Sequence, residues 1–321
     1  MKDTYSYLFG PVLSRRLGVS LGVDLVPLKT CSFNCRYCEC GDTSEISAER
    51  KEYVPTETVI DELKRFLKNG PNLDFVTFSG SGEPTLHSRI GDVILFLKKR
   101  YPDYRLALLT NGSLFNDRRL RRNLMNIDVV LPSLDAGTQR IFQIINRPSS
   151  GIRLGSIIRG LTDFRKDFKG EIWLEVFIVP GRNDTQEELS GIRSALKRIK
   201  PDKVQLNTLD RPGADPSLIP AKKRSLESIL RFLDYPGEII ARFPTLPKSA
   251  DVCRSDACLA VLRTLARRPS TQVDLCSSLG IDKQTAELCL KRLLYERIIA
   301  QRRLKRGVFF SCVKHQKEMF C

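Results

Sequence analysis

Between about residue 20 and residue 245 the chain alternates short apolar runs with longer amphipathic stretches. The runs at 22–28, 73–78, 105–109, 127–131, 172–179 and 203–206 have the length of strands. The stretches at 56–68, 88–100, 117–124, 155–168, 185–199 and 222–233 carry the spacing of helices. Runs such as Asp128-Val-Val-Leu and Trp173-Leu-Glu-Val-Phe-Ile-Val are too apolar for a sheet with one wet face. They suit parallel strands covered by helices. Six strand–helix units predict an α/β fold, a partial (β/α)6 barrel over residues 1–240, with its active site at the C-terminal strand ends. An open doubly wound sheet is the alternative. No GxGxxG or P-loop follows a strand, which lowers the nucleotide-binding versions of that fold.

Beyond residue 240 the pattern changes. Residues 241–255 read as a linker, and 256–321 as a small second domain. There, helices are expected at 257–267, 271–279 (ending at Gly280) and from an Asp282 cap to 299. A hairpin then turns at Lys305-Arg306-Gly307, which completes a winged helix-turn-helix. Lys and Arg number 53 against 37 Asp and Glu, a net +16. Residues 256–321 hold 13 basic and 6 acidic positions, so the tail is the more basic part. Such a tail suits a polyanionic partner, with Lys283, Arg302, Arg303, Lys305 and Arg306 as candidate contacts to nucleic acid or another partner. A solvated basic surface is the bland alternative. No apolar run approaches the roughly 18 residues of a membrane span, and the N-terminus lacks a signal-peptide core. A cytoplasmic protein without membrane contact is expected.

Ten cysteines in a chain of this kind point to metal or redox chemistry rather than a disulfide scaffold. Four of them, Cys31, Cys35, Cys38 and Cys40, fall within ten residues. Cys31-Ser-Phe-Asn-Cys35-Arg-Tyr-Cys38 places three thiols just after the first strand, which suits a [4Fe–4S] cube with one iron left open. A zinc site would want a fourth ligand, and Cys40 fills that place only by straining the loop.

CxxxCx(aromatic)C in this position resembles the radical S-adenosylmethionine (SAM) superfamily. Gly80-Ser-Gly-Glu83, Thr110-Asn111-Gly112 and Ser133-Leu-Asp135 follow strands two, three and four in the matching order. The stretch from Gly10 to Cys31, with Gln205-Leu-Asn207-Thr-Leu-Asp-Arg-Pro, resembles an Fe–S oxidoreductase branch grouped with the wyosine-forming tRNA enzymes. The resemblance implies a cluster on Cys31, Cys35 and Cys38, SAM chelated at the open iron, and reductive cleavage to a 5′-deoxyadenosyl radical. It also implies an electron donor of the flavodoxin or ferredoxin kind. The SAM contacts it implies are Tyr37, Gly80, Ser81, Gly82, Glu83, Asn111, Ser133, Asp135 and Asn207. Several have plain structural readings beside these: Glu83 as a helix cap, Asn111-Gly112 as a turn, Ser133 or Asp135 as an N-cap.

Other residues read as architecture. Asp184 and Glu187 form a capping box, and Glu175 points into a lumen or is paired. Cys276, Cys289 and Cys312 are small core hydrophobes, His87 and His315 surface residues. Cys253 and Cys258 would bind an auxiliary metal only with further partners. Two function classes compete. One is a radical SAM enzyme acting on an unidentified substrate, RNA or peptide, delivered by the tail. The other is a cluster-containing, redox-sensing regulator that binds nucleic acid. The full set of SAM-contact positions favours the enzyme.

Overall fold

The computed structural model describes residues 5–241, 257–304 and 306–313. In chain order the first part runs β1 (Leu8–Ser14), β2 (Gly18–Val23), β3 (Thr30–Cys31), β4 (Glu45–Ile46), α1 (Thr56–Leu67), β5 (Phe75–Phe78), α2 (Ile90–Arg100) and β6 (Arg105–Thr110). It continues with α3 (Arg118–Asn123), β7 (Val129–Pro132), α4 (Gln139–Ile145), α5 (Leu154–Asp167), β8 (Glu171–Phe177), α6 (Gln186–Ile199), β9 (Lys203–Asn207), α7 (Lys223–Leu233) and β10 (Gly237–Ile239). Eight strands form one sheet in the order β1-β2-β5-β6-β7-β8-β9-β10. All neighbours are parallel except β1 and β2, and the edge strands β1 and β10 do not pair, so the barrel is partial.

Strand alternation sorts the apolar residues into two layers. Val76, Leu106, Leu108, Val130, Ile172 and Leu174 face the helices and build the main core. Phe75, Ala107, Val129, Leu131 and Trp173 face the other way, into the barrel, where they form a smaller cluster with Leu17. Both strand faces are thus apolar.

Some boundaries differ from the sequence pattern. The first parallel strand is Gly18–Val23 rather than 22–28; Leu25 and Val26 are buried but lie in the loop that follows. β1 and β10 sit on the edges and α4 is a short extra helix. β1 is anchored by the buried Glu62 of α1, whose carboxylate accepts from Ser6 N at 2.7 Å and Tyr7 N at 2.9 Å. The capping box falls elsewhere. Thr185 caps α6, and Glu188 reaches across to accept from Gly137 N (2.7 Å) and Thr138 Oγ1 (2.5 Å). Asp184 accepts from Gly181 N instead, because its place before the cap points it back at the turn. His87 is wholly buried rather than on the surface: Nδ1 accepts from Tyr53 N at 3.2 Å, and Nε2 lies 3.0 Å from Thr56 Oγ1.

The second part holds α8 (Ala257–Arg267), β11 (Ser270–Thr271), α9 (Gln272–Leu279), α10 (Lys283–Tyr295), β12 (Ile299–Leu304) and β13 (Gly307–Cys312). Its three strands order β11-β13-β12, antiparallel, over a core of its own. Cys258 on α8 and Cys289 on α10 are joined as a disulfide with their Cα atoms 5.0 Å apart. Cys289 is therefore a cross-link rather than a lone hydrophobe, and Cys258 is not available to a metal. Cys253, Lys305 and His315 lie outside the described residues. Arg306 is not an outward wing cation. Its guanidinium pairs with Asp210 of the barrel and Asp274 of α9, because these two buried carboxylates need a counter-charge. α9 also packs against β1.

Candidate active site

The turn after β5 and the start of the cysteine loop are stitched together by their backbones. Lys29 N donates to Ser81 O at 3.0 Å and Glu83 N to Thr30 O at 3.1 Å. Two glycines make this approach possible. A Cβ on Gly80, whose φ is +152°, would run into the Asp24 carboxylate, and one on Gly82 into the Thr30 carbonyl. Ser81 closes the turn by donating its N–H and hydroxyl to Asp24 (3.2 and 3.1 Å).

Each loop sulfur that the sequence singled out meets an N–H donor. Cys31 Sγ accepts from Phe33 N at 3.4 Å and Asn111 Nδ2 at 3.6 Å. Cys35 Sγ accepts from Asn146 Nδ2 at 3.5 Å, and Cys38 Sγ from Lys29 Nζ at 3.2 Å. Two buried carboxylates hold the asparagines. Glu83 accepts from Asn111 N (2.7 Å), Thr110 Oγ1 (2.7 Å), Thr85 Oγ1 (2.6 Å) and Thr85 N (3.1 Å), so it also caps the turn after β5. Asp135 accepts from Asn146 Nδ2 (2.7 Å), Phe177 N (2.8 Å) and Tyr37 Oη (2.5 Å). Tyr37 stacks on Phe177 with ring centroids 3.9 Å apart. Asn183, fully buried, ties Asp135 O to Phe177 O through its amide, which makes it a scaffold residue.

Burial sets most of the protonation behaviour here. It pushes the Cys31 thiol up to about 12 and the Cys35 thiol well above its ordinary value. Hydrogen bonding with Cys40 and the charge of Lys29 pull Cys38 down, while the same contact with Cys38 pushes Cys40 up. Burial works against the charge on Lys29, yet the Cys38 and Cys40 sulfurs leave its pKa raised. Burial lifts Asp135 to about 6 and raises Glu83 and Asp24.

Asn207 ends β9 with its Nδ2 on Glu175 Oε1 at 3.0 Å, and Arg16 pairs with the other oxygen of Glu175. Glu175 is therefore both lumen-facing and paired. Ser133, half-buried at the end of β7, bridges to Glu175 through its backbone. The strand ends thus bring Cys31, Cys35, Tyr37, Cys38, Gly80, Ser81, Gly82, Glu83, Asn111 and Asp135 to one loop, while Ser133 and Asn207 stand at Glu175. Lys283, Arg302 and Arg303 are exposed in the second part of the chain. Sequence reasoning missed Lys29, Asp24, Arg16 and Asn146. Only Lys29 carried a signal, a cation two residues before the first cysteine.

Among the described residues no three His, Cys, Asp or Glu side chains converge on a single ion. The N–H donors at all three sulfurs are what ligating thiolates require of their surroundings. The model of the Radical SAM superfamily matches residues 25–191. The chain belongs to the radical SAM superfamily.

This radical SAM chain is 36% identical over 292 residues to a Brachyspira hyodysenteriae protein named GTPase Obg, covering 89% of the chain and 42% of that protein. It thus spans less than half the length of that relative. It is 34% identical over 236 residues to a UPF0026 protein of Methanocaldococcus jannaschii, covering 73% of the chain and 72% of the relative. A solved radical SAM methyltransferase from Sphaerobacter thermophilus shares the fold, with a TM-score of 0.54 at 15% identity over 69% of this chain and 66% of that one. Radical SAM enzymes use a [4Fe–4S] cluster and SAM. No helix among the described residues is long and apolar enough to cross a membrane.

Proposed function

We propose that Cys31, Cys35 and Cys38 hold the [4Fe–4S] cluster and that the barrel cleaves SAM reductively to act on a substrate in its lumen. The observation that carries this is the N–H donor at every one of the three sulfurs, two of them on asparagines fixed by buried carboxylates. When bound, the cluster supplies the electron that splits the sulfonium into methionine and a 5′-deoxyadenosyl radical. The chain's part is to hold and shield. Asn111, Asn146 and Lys29 donate to the sulfurs and favour their negative charge. Gly80 and Gly82 let the turn lie against the loop, where its backbone groups would hold the methionine moiety of SAM. Tyr37, propped on Phe177 and Asp135, offers an aromatic surface next to the last thiolate. Asp135, Ser133 and Asn207 bring polar groups to the strand ends, where a ribose and an adenine have to be oriented. An electron donor of the flavodoxin or ferredoxin kind completes the reaction. The exposed Lys283, Arg302 and Arg303 are the outward cations that suit a macromolecular substrate, RNA or peptide.

The test is anaerobic reconstitution followed by SAM and dithionite. Wild type is expected to bind four irons per cluster and release 5′-deoxyadenosine. Alanine at Cys31, Cys35 or Cys38 should lose both, and Cys40→Ala should keep both. Loss of the cluster in Cys40→Ala with retention in Cys31→Ala would overturn the assignment.

A further inference from the structure

The barrel lumen is not bounded by the barrel alone. A cavity of about 450 Å³ runs from Gly80 and Cys40 past Ser20, Thr77 and Leu109, and helix α8 of the second part closes its far wall with Leu259, Ala260 and Thr264. Its volume is that of a small-molecule site. Its lining is cationic: Arg15, Arg16, Arg211, Arg263, Arg267 and Arg268 face one carboxylate, Glu39.

Most of these arginines have a partner behind the wall. Arg15 lies 3.5 Å from Asp210, Arg211 3.2 Å from Glu39, and Arg267 3.8 Å from Asp24 while resting on the Phe9 ring at 4.0 Å. Arg16 pairs with Glu175. The partnering is incomplete. Arg211 is 6% exposed and its Nε reaches only Asp274, at 3.7 Å, while Nη1 of Arg267 is buried without a hydrogen-bond partner. The guanidinium groups of Arg263 and Arg268 line the cavity and make no ion pair or side-chain hydrogen bond among the described residues. Burial, and then the neighbouring charge of Arg211, push Arg268 down to about 10 although Glu39 acts the other way. Cations withdrawn from water without matching anions are costly, and an anion in their midst removes that cost. Guanidinium forks suit the two oxygens of a phosphate or a carboxylate.

We propose that this lumen binds an oxyanionic group of the substrate, phosphate or carboxylate, through Arg263 and Arg268 together with Arg211 and Arg267, so that the second part of the chain completes the substrate site. The proposal rests on the lumen being the reaction chamber, and its test does not need SAM cleavage. Full-length reconstituted protein is titrated by calorimetry with pyrophosphate in one arm and citrate in the other. Saturable binding is expected in at least one arm, and the stronger arm names the source. The double variant Arg263→Gln/Arg268→Gln should weaken it at least about tenfold, the scale of one charged hydrogen bond. The exposed pair Arg118→Gln/Arg119→Gln on α3 should not change it. Mass-spectrometric footprinting of wild type with phenylglyoxal gives a second measure that needs no variant: the bound anion should shield Arg263 and Arg268. No saturable binding in either arm, equal weakening by the α3 pair, or no shielding would overturn the proposal. So would a loss of SAM affinity in the lumen variant, since the site would then be SAM's own. Absent 5′-deoxyadenosine with intact anion binding would count against the proposed function and leave this site standing.

Discussion

Glu83 receives four hydrogen bonds from Thr85, Thr110 and Asn111, and the residue is only 2% exposed. Gln in its place puts an amide where a donor already points, so Glu83→Gln should lose at least one charged bond, about 1.5–3 kcal/mol of stability. Denaturant unfolding of the metal-free protein measures this. Iron content after reconstitution should fall with it, since Asn111 loses the anchor that aims it at Cys31. A role confined to SAM contact would leave metal-free unfolding unchanged. His87 makes the pH prediction. Burial lowers its pKa to about 4, so the folded ring stays neutral in its contacts with Tyr53 and Thr56. Between about pH 6.5 and pH 4 the unfolded chain takes up a proton that the folded one refuses, and stability falls as pH falls. By pH 5 this amounts to about 2 kcal/mol. His87→Gln should remove that part of the acid sensitivity; identical slopes for variant and wild type between pH 7.5 and 5 would rule it out.

At the scale of elements, what the sequence made legible follows from what each element buries. β5 to β9 are apolar on both faces because helices cover one and the lumen cluster the other, and such runs stand out in a sequence. β1 is mostly half-buried or exposed and contains Gly10-Pro11, so nothing in its pattern separates it from a loop. It is a strand because Glu62 holds its approach and β2 offers an edge. β10 has three residues and α4 seven, too few for a period to show. The cysteine spacing singled out one loop as the candidate cluster site, and the glycines after β5 announced a close approach. The partners that fix the loop were illegible for a different reason. Asn146 meets Cys35 from 111 residues away, and Asp24 meets Ser81 from 57, separations that no local pattern encodes. Charge misled in the tail: composition shows a basic surplus but not its direction, and Arg263, Arg267, Arg268 and Arg306 all turn toward the barrel.

For the whole molecule, the question is what holds α8 against the lumen. The two hydrophobic cores are separate, so the parts meet through α9 on β1, through Arg267 of α8 on Phe9 and near Asp24, and through a small ionic junction. Arg306 is the centre of that junction. It pairs with Asp210 from the barrel, and its Nη2 lies 2.6 and 2.5 Å from the two oxygens of Asp274 on α9. Both aspartates have side chains only 2% exposed, and their other arginines stand farther off, Arg15 at 3.5 Å and Arg211 at 3.7 Å. Arg306→Ala therefore leaves two buried carboxylates under-compensated, at a cost of about 3 kcal/mol. The loss should be local in space rather than global. Hydrogen exchange is expected to quicken in β1, α8 and α9, while α5 and β8, packed in the main core, keep their protection. The lumen would then lose its arginine wall, so pyrophosphate or citrate should bind more weakly to Arg306→Ala although Arg306 does not line the cavity. Unchanged exchange in α8 and α9 would show that the α9–β1 packing and the Arg267 contacts dock the second part without Arg306. Uniformly faster exchange would show that the junction supports the entire fold instead of one interface.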